Sequence, residues 1–430
     1  TAVDKDGKGE VSMKSDEYVP EKDEWLLITY VQEGAIGKLY LNGELAVSGT
    51  MCPMNTVFGQ YGGIYALGCQ LRDWWGDPSL NGAVDDFTIY NRALSVVEIA
   101  EMAGKTSIDE AAVNAVKEKI AAIGEVELSA DSLAKIREAE TAYKALTDLE
   151  KAYVDNYSVL EAAFDSYYTL AEAANNGRLL YFDFEDGTAI DAAGRVSATV
   201  SGLTEVEGRE PGTKAFQFGT EKGRSNDMYI QWSAADYDPF ARIEKTGTSI
   251  SAWVQLRETN DWATLFSYGK SDSFFVAVPQ AADWRDNAFR AATKNNGSDE
   301  SEVVGKKIVT EENIGQWVLL TITQDADRNT SLYLGTELLG TAQLDYSLYT
   351  LSSGHTADSM FYNIGYVPFF GDDNFQGAMD DFAIYNHALT AEEIGTLMYG
   401  AADYTAVDAA LEKAAALVEA DYTAASWAKL

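Results

Sequence analysis

Hydrophobic and polar positions alternate with a period near two along much of the chain, and one alternating string occurs twice. Residues 377–389 read Gly-Ala-Met-Asp-Asp-Phe-Ala-Ile-Tyr-Asn-His-Ala-Leu, and residues 82–94 read Gly-Ala-Val-Asp-Asp-Phe-Thr-Ile-Tyr-Asn-Arg-Ala-Leu. In the later copy Met379, Phe382 and Ile384 stand against Asp381, Ala383 and Tyr385, which predicts a half-buried strand. A short helix is predicted directly after each copy, because Ser95 with Glu98 and Thr390 with Glu393 have the spacing of a capping box. Other matches follow in the same order: residues 25–30 with 317–322, 38–41 with 331–334, and 65–68 with 362–365. The turn Leu41-Asn42-Gly43 suits a hairpin, since Asn-Gly accepts positive φ, whereas the second copy has Leu334-Gly335-Thr336 there.

The period changes between residues 105 and 176. Val113, Val116, Ile120 and Ile123 recur at helical spacing, as do Leu133, Ile136, Ala139, Tyr143 and Leu146, then Leu160, Ala163, Phe164, Tyr167 and Leu170. This predicts three amphipathic helices that bury their stripes against one another. From residue 177 to 400 strand patterns return, in 177–187, 214–219, 228–232, 248–255 and 262–267, with Gly, Asp and Asn between them. Short strands at such spacing predict a sandwich of two antiparallel sheets. After Gly400 the pattern is helical again, with Val407, Ala410, Leu411, Ala414 and Leu417 in register.

The repeated strand, its Tyr-Asn-x-Ala-Leu turn and its capped helix resemble the closing segment of laminin-G-like, concanavalin-A-like jelly-roll domains of bacterial surface proteins and carbohydrate-active enzymes. That resemblance implies a mostly β chain with helical segments. Residues 1–104 would be the C-terminal half of one jelly-roll, 105–176 a three-helix spacer, 177–400 a complete jelly-roll, and 401–430 the start of a further helical repeat. The spacer pattern Ile-Gly-Glu-Val-x-Leu-Ser with Ala-x-x-Ala-Tyr-x-Ala-Leu resembles modules that separate domains in large secreted Gram-positive proteins. Residues 421–427 resemble a sugar-binding-type helical repeat of bacterial wall proteins. A secreted or cell-surface location is implied by these resemblances.

Composition narrows the function classes. The 430 residues exceed what one core usually organises, so several domains are expected. With 68 acidic against 32 basic residues the net charge is −36, which opposes nucleic acid and anionic membrane as partners. No apolar run is long enough to span a bilayer. Cys52 and Cys69 lack a Cys-x-x-Cys metal spacing and fit either a loop-closing disulfide or two inert thiols.

Two groups of residues are candidates for chemistry. First and last strands lie close together in this fold, so Asp183, Glu185 and Asp186 are expected to approach Asp380 and Asp381. Such a cluster suits Ca²⁺, which takes oxygen ligands; the alternative is that the Asp pair caps the strand end by accepting backbone N–H groups. Aromatic pairs followed by Gly-Asp stand at one position in both copies, as Trp74, Trp75 and Asp77 and as Phe369, Phe370 and Asp372. Exposed rings stack on the C–H faces of sugars while carboxylates accept their hydroxyls; the alternative is that the rings anchor a loop. Trp262 and Trp284, beside Asp261 and Asp283, are further ligand candidates, and Trp253 is assigned to the core.

Catalytic signatures are absent. Jelly-roll glucanases carry a Glu-x-Asp-x-x-Glu strand, and no such string occurs. His355 and His387 are far apart with no nucleophile motif, and Arg92 replaces His387 in the first copy. The expected function is therefore non-catalytic glycan or cell-surface polysaccharide binding. The alternatives are a structural spacer, or an accessory module of a glycoside hydrolase.

Overall fold

The computed structural model describes residues 2–3, 10–11, 24–51, 67–68, 79–219, 227–355 and 357–400. The expectations for Cys52, Cys69, Trp74, Trp75, Asp77 and residues 401–430 fall outside the described residues. The chain divides into two compact units, residues 1–167 and 168–430.

In the first unit a short ladder pairs β1 (Ala2–Val3) with β2 (Glu10–Val11). β3 (Ile28–Glu33), β4 (Ile36–Leu41) and β5 (Glu44–Thr50) then form an antiparallel meander. Asn42 (φ 49°) and Gly43 (φ 86°) make its second turn, as Asn-Gly predicts. The string at 82–90 departs from expectation, because it is not a strand. Val84, Phe87 and Ile89 are 53%, 59% and 70% exposed. A strand is held by its neighbours, and the strands that flank the same string in the second unit have no counterpart among the described residues of the first. The local part of the motif survives: Ser95 and Glu98 close the predicted capping box on α1 (Val96–Met102). The helical region contains α2 (Glu110–Ala121), α3 (Ala130–Lys144), a single turn α4 (Asp148–Lys151) and α5 (Tyr157–Ala174), whose residues from 168 on fall in the second unit. Its stripes bury Val113, Val116, Ile120, Ile136, Ala139, Leu160 and Ala163, while Leu170 is exposed.

In the second unit the opening strands are β6 (Arg178–Phe182), β7 (Ala189–Ile190), β8 (Ser197–Ser201), β9 (Thr204–Glu207), β10 (Lys214–Gln217) and β11 (Tyr229–Ser233). The central strands are β12 (Thr248–Leu256), β13 (Phe266–Lys270), β14 (Ser273–Val278), β15 (Arg290–Lys294) and β16 (Ser301–Val304). β17 (Trp317–Gln324), β18 (Asn329–Leu334) and β19 (Glu337–Gln343) follow, then α6 (Leu348–Ser353), β20 (Phe361–Ile364), β21 (Gly377–Tyr385) and α7 (Ala391–Tyr399). One sheet has the order β19-β18-β17-β12-β21-β10-β9, with β6 also on β21; the other runs β16-β15-β14-β13-β20-β11-β8-β7. The fold is an antiparallel β-sandwich. Its core is aromatic: Trp232 and Tyr362 stack at 4.6 Å, and Phe182, Phe266 and Phe382 pack around them. Gly335 (φ 54°) turns the chain at the position of Asn42, so the second copy makes its hairpin without Asn-Gly.

β21 is buried on both faces, which corrects the half-buried expectation. Met379, Phe382 and Ile384 enter the core. Ala383 and Tyr385 join a second cluster with Trp253, Leu389 and Ile394, because α7 lies across the outer face. The inward residues 379 and 382 are an odd number apart, so alternation must slip between them. It slips at a bulge: Trp253 pairs with Asp380 and Ser251 with Ala383, leaving two residues of β21 opposite Ala252. Asp381 takes up the extra length at φ 50°. At the same point β21 exchanges one neighbour for another, pairing with β10 at residues 378–379 and with β6 from residue 382.

Candidate functional site

The outer face of the β16–β7 sheet carries most of the candidate residues. Along β14 alternate side chains point to opposite faces, so Phe275 and Ala277 enter the core and Phe274, Val276 and Val278 face outward. The outward residues are nevertheless buried, since the connection from β20 to β21 folds back over them. Gly365 donates its N–H to Leu265 O at 2.8 Å, Thr264 donates to Asp373 O at 2.9 Å, and the Ser267 hydroxyl donates to Tyr366 O at 2.9 Å. Phe369 and Phe370 pack on Phe274 at 5.6 and 5.0 Å and meet each other edge to face at 4.9 Å. Both rings are half-buried and turned onto the same cluster, so the geometry is that of loop anchors. Asp372 is half-buried in the same loop.

Beneath this loop the sheet carries paired polar side chains. The Gln231 amide donates to Asn363 Oδ1 at 2.6 Å, and the Asn363 amide donates to Ser267 Oγ at 3.2 Å. Buried Asn and Ser are stable only with such partners.

The two tryptophans lie beside that cluster. Trp262 is half-buried, follows Asp261 in a left-handed conformation (φ 67°), and donates its N–H to Gln280 O at 2.9 Å. A bulky side chain at positive φ is strained and persists only where its surroundings hold it. Trp284 sits in a one-turn helix, Asp283–Arg285, between β14 and β15, and is 64% exposed. The indoles are 5.9 Å apart, tilted by 49°. Each rests on a guanidinium: Arg285 lies 3.9 Å from the Trp284 ring and Arg290 5.3 Å from that of Trp262. Arg290 is buried and bound by Glu300 at 2.5 Å and by Glu302, which also binds Arg285. Burial raises the Glu302 pKa, but the hydrogen bonds from Arg285 and Arg290 outweigh it and hold the carboxyl below its usual range. Asp283 Oδ1 accepts the Trp284 N–H at 2.7 Å, and Asp261 Oδ1 accepts the Gln280 amide at 2.8 Å. Among the described residues nothing binds their second oxygens. Arg285, Arg290 and Glu302 escaped the sequence reading because a loop and two strands bring them together, and no local spacing announces that.

The carboxylates of β6 and β21 are arranged differently from the expected metal cluster. Asp183 accepts the Glu185 N–H at 3.2 Å, Glu185 accepts the Lys214 N–H at 3.2 Å, and Asp186 accepts the Thr188 N–H at 3.1 Å. Asp380 accepts two N–H groups, those of Arg209 and Asp381, each at 2.9 Å. Asp381 accepts the Tyr181 hydroxyl. Among the described residues no three acidic, His or Cys side chains are grouped to hold a metal ion. The donor set does not fit Ca²⁺, because the carboxylates are not grouped and each gives at least one oxygen to an N–H or O–H donor; the Asp pair joins β6 and the β9–β10 turn to the bulge. Burial, aided by the charge of Asp381, pushes Asp380 up to about 6 despite these hydrogen bonds. His387 and His355 are bonded to Glu393 at 3.1 Å and to Asn295 at 3.3 Å. Arg92 binds Glu98 as His387 binds Glu393, so both side chains steady a capping-box carboxylate.

Comparison with known proteins supplies a family. The model of the concanavalin A-like lectin/glucanases superfamily matches residues 1–100 and 223–395. Among solved structures, domain 4 of AbnA, a GH43 extracellular arabinanase from Geobacillus stearothermophilus in complex with arabinotriose, is 18% identical with a TM-score of 0.40. That match covers 51% of this chain and 98% of the other. The binding domain of botulinum neurotoxin DC in complex with rat synaptotagmin II is 17% identical with a TM-score of 0.38, over 52% of this chain and 51% of the other. The match thus spans about half of the neurotoxin structure's own length. No curated protein matches the chain.

Proposed function

The chain belongs to the concanavalin A-like lectin/glucanase superfamily, and we propose that it is a non-catalytic glycan-binding region of an extracellular or wall-attached protein, with its ligand on Trp284 and Trp262. A fold shared by lectins and glucanases does not choose between binding and hydrolysis. The observation that carries the choice is Trp284, a large ring left 64% exposed on the second unit and backed by Arg285. An apolar side chain of that size gains by burial, so an exposed one on a firm base favours a ligand. The missing Glu-x-Asp-x-x-Glu strand supports binding without hydrolysis. Among the described residues no helix is long and apolar enough to cross a membrane.

Stacking on one ring is worth about 1 kcal/mol, so a single site binds weakly. Tandem modules would then act by avidity. The test is a glycan array probed with the whole chain and with Trp284→Ala. Loss of signal in the variant with an unchanged melting temperature supports the reading. Equal signals, or none in either protein, favour the spacer reading instead.

A further inference from the structure

The surroundings of the two indoles restrict which glycan they would take. We infer that the ligand is an uncharged polysaccharide, and that the carboxylates around the rings turn acidic polysaccharides away. This rests on the glycan-binding reading above. Asp261, Asp283, Asp286, Glu300 and Glu302 outnumber the two arginines of the patch. Both guanidiniums are already paired with carboxylates: Arg290 is buried and bound by Glu300 and Glu302, and Arg285 is bound by Glu302 and stacked on Trp284. A uronate or sulfate group laid on Trp284 would therefore meet more like charge than the two paired arginines offset, on a chain whose net charge is −36.

Neutral sugars meet the opposite situation. The residue before each tryptophan is an aspartate with one oxygen already fixed, Asp283 by the Trp284 N–H and Asp261 by the Gln280 amide. Each second oxygen remains to accept a sugar hydroxyl beside a ring. Trp284 stands open on the surface, so a chain can run past its edges and internal residues of a polymer can stack there.

The test is affinity electrophoresis of the whole chain in gels containing arabinan, galactan, xylan or mannan, and in gels containing polygalacturonate, alginate or hyaluronan, at low and at high salt. The expected result is retardation by at least one neutral polymer, insensitive to salt and weakened at least about fivefold in Trp284→Ala. No acidic polymer should retard the chain at low salt. The double variant Asp261→Asn, Asp283→Asn should gain affinity for the acidic polymers by several-fold. Trp284-dependent retardation by an acidic polymer, or no such gain in the double variant, overturns the inference and leaves the glycan reading standing. Retardation by none of the polymers, or to the same degree in Trp284→Ala, overturns the glycan reading itself.

Discussion

Asp380 Oδ1 accepts the N–H of Asp381 at 2.9 Å while Asp381 holds φ at 50°. Asp85 accepts the N–H of Asp86 in the same way at 2.9 Å, with Asp86 at φ 51°, although among the described residues that string has no strand beside it. The Asp-Asp turn is thus a local property of the sequence, and the bulge in β21 is that turn set into a sheet. Short polar side chains tolerate the left-handed region by bonding their own backbone.

This relationship predicts different costs for one substitution at two places. Asp381→Ala removes the acceptor of the Tyr181 hydroxyl, which has a half-buried ring, and places a less tolerant residue at positive φ. It should lower stability by about 1–3 kcal/mol. Asp86→Ala, in an exposed segment, should cost less than about 0.5 kcal/mol. Calorimetric melting of the two variants checks the difference.

The aromatic pair and the exposed indole should separate in the same way. Phe369→Ala and Phe370→Ala each strip the cover from Phe274 and should cost about 1–3 kcal/mol, less than a fully buried ring because both are half-exposed. Trp284→Ala should stay within about 0.5 kcal/mol of the parent. If instead Phe370→Ala melts like the parent, the ring is no anchor and the loop is held by its backbone bonds alone.

Acid should act on two carboxylates in opposite directions. Burial raises the Glu393 pKa, but hydrogen bonds from Thr390, Asn176 and His387 outweigh it and bring the group from the usual 4.5 to about 2. Its stabilising contribution is present above pH 4.5 and is lost as the pH falls toward 2. Asp380 is raised from 3.8 to about 6, so its contribution is present below pH 3.8 and is lost as the pH rises through 6. Melting temperature against pH should therefore flatten below pH 4.5 in Glu393→Gln and between pH 3.8 and 6 in Asp380→Asn.

Calcium should leave the protein unchanged. With no three of the Asp183, Glu185, Asp380 and Asp381 carboxylates grouped among the described residues, and each giving at least one oxygen to an N–H or O–H donor, melts in calcium and in chelator should coincide. A higher melting temperature in calcium, abolished by Asp381→Ala, would reinstate the metal reading.

Features set by neighbouring residues were legible from the sequence. The alternation of Thr248 to Gln255 gave a strand, the Ser95 and Thr390 capping boxes gave helix starts, and Asn42-Gly43 gave a turn. Each depends on contacts within a few residues, which the order of side chains dictates. The slip of alternation between Met379 and Phe382 belongs to the tertiary structure, since the sequence pattern alone reads as a regular half-buried strand. What tertiary structure decided was burial and company. Nearly the same string forms a strand at 377–385 and none at 82–90, because a ladder needs partner strands that local order cannot supply. For Phe369 and Phe370 the sequence left a sugar platform and a loop anchor open, and the fold of the loop onto Phe274 favours the anchor. Trp284 became the better candidate because Arg285, Arg290 and Glu302 assemble beneath the indoles from separate elements, and long-range packing alone decides which rings remain at the surface.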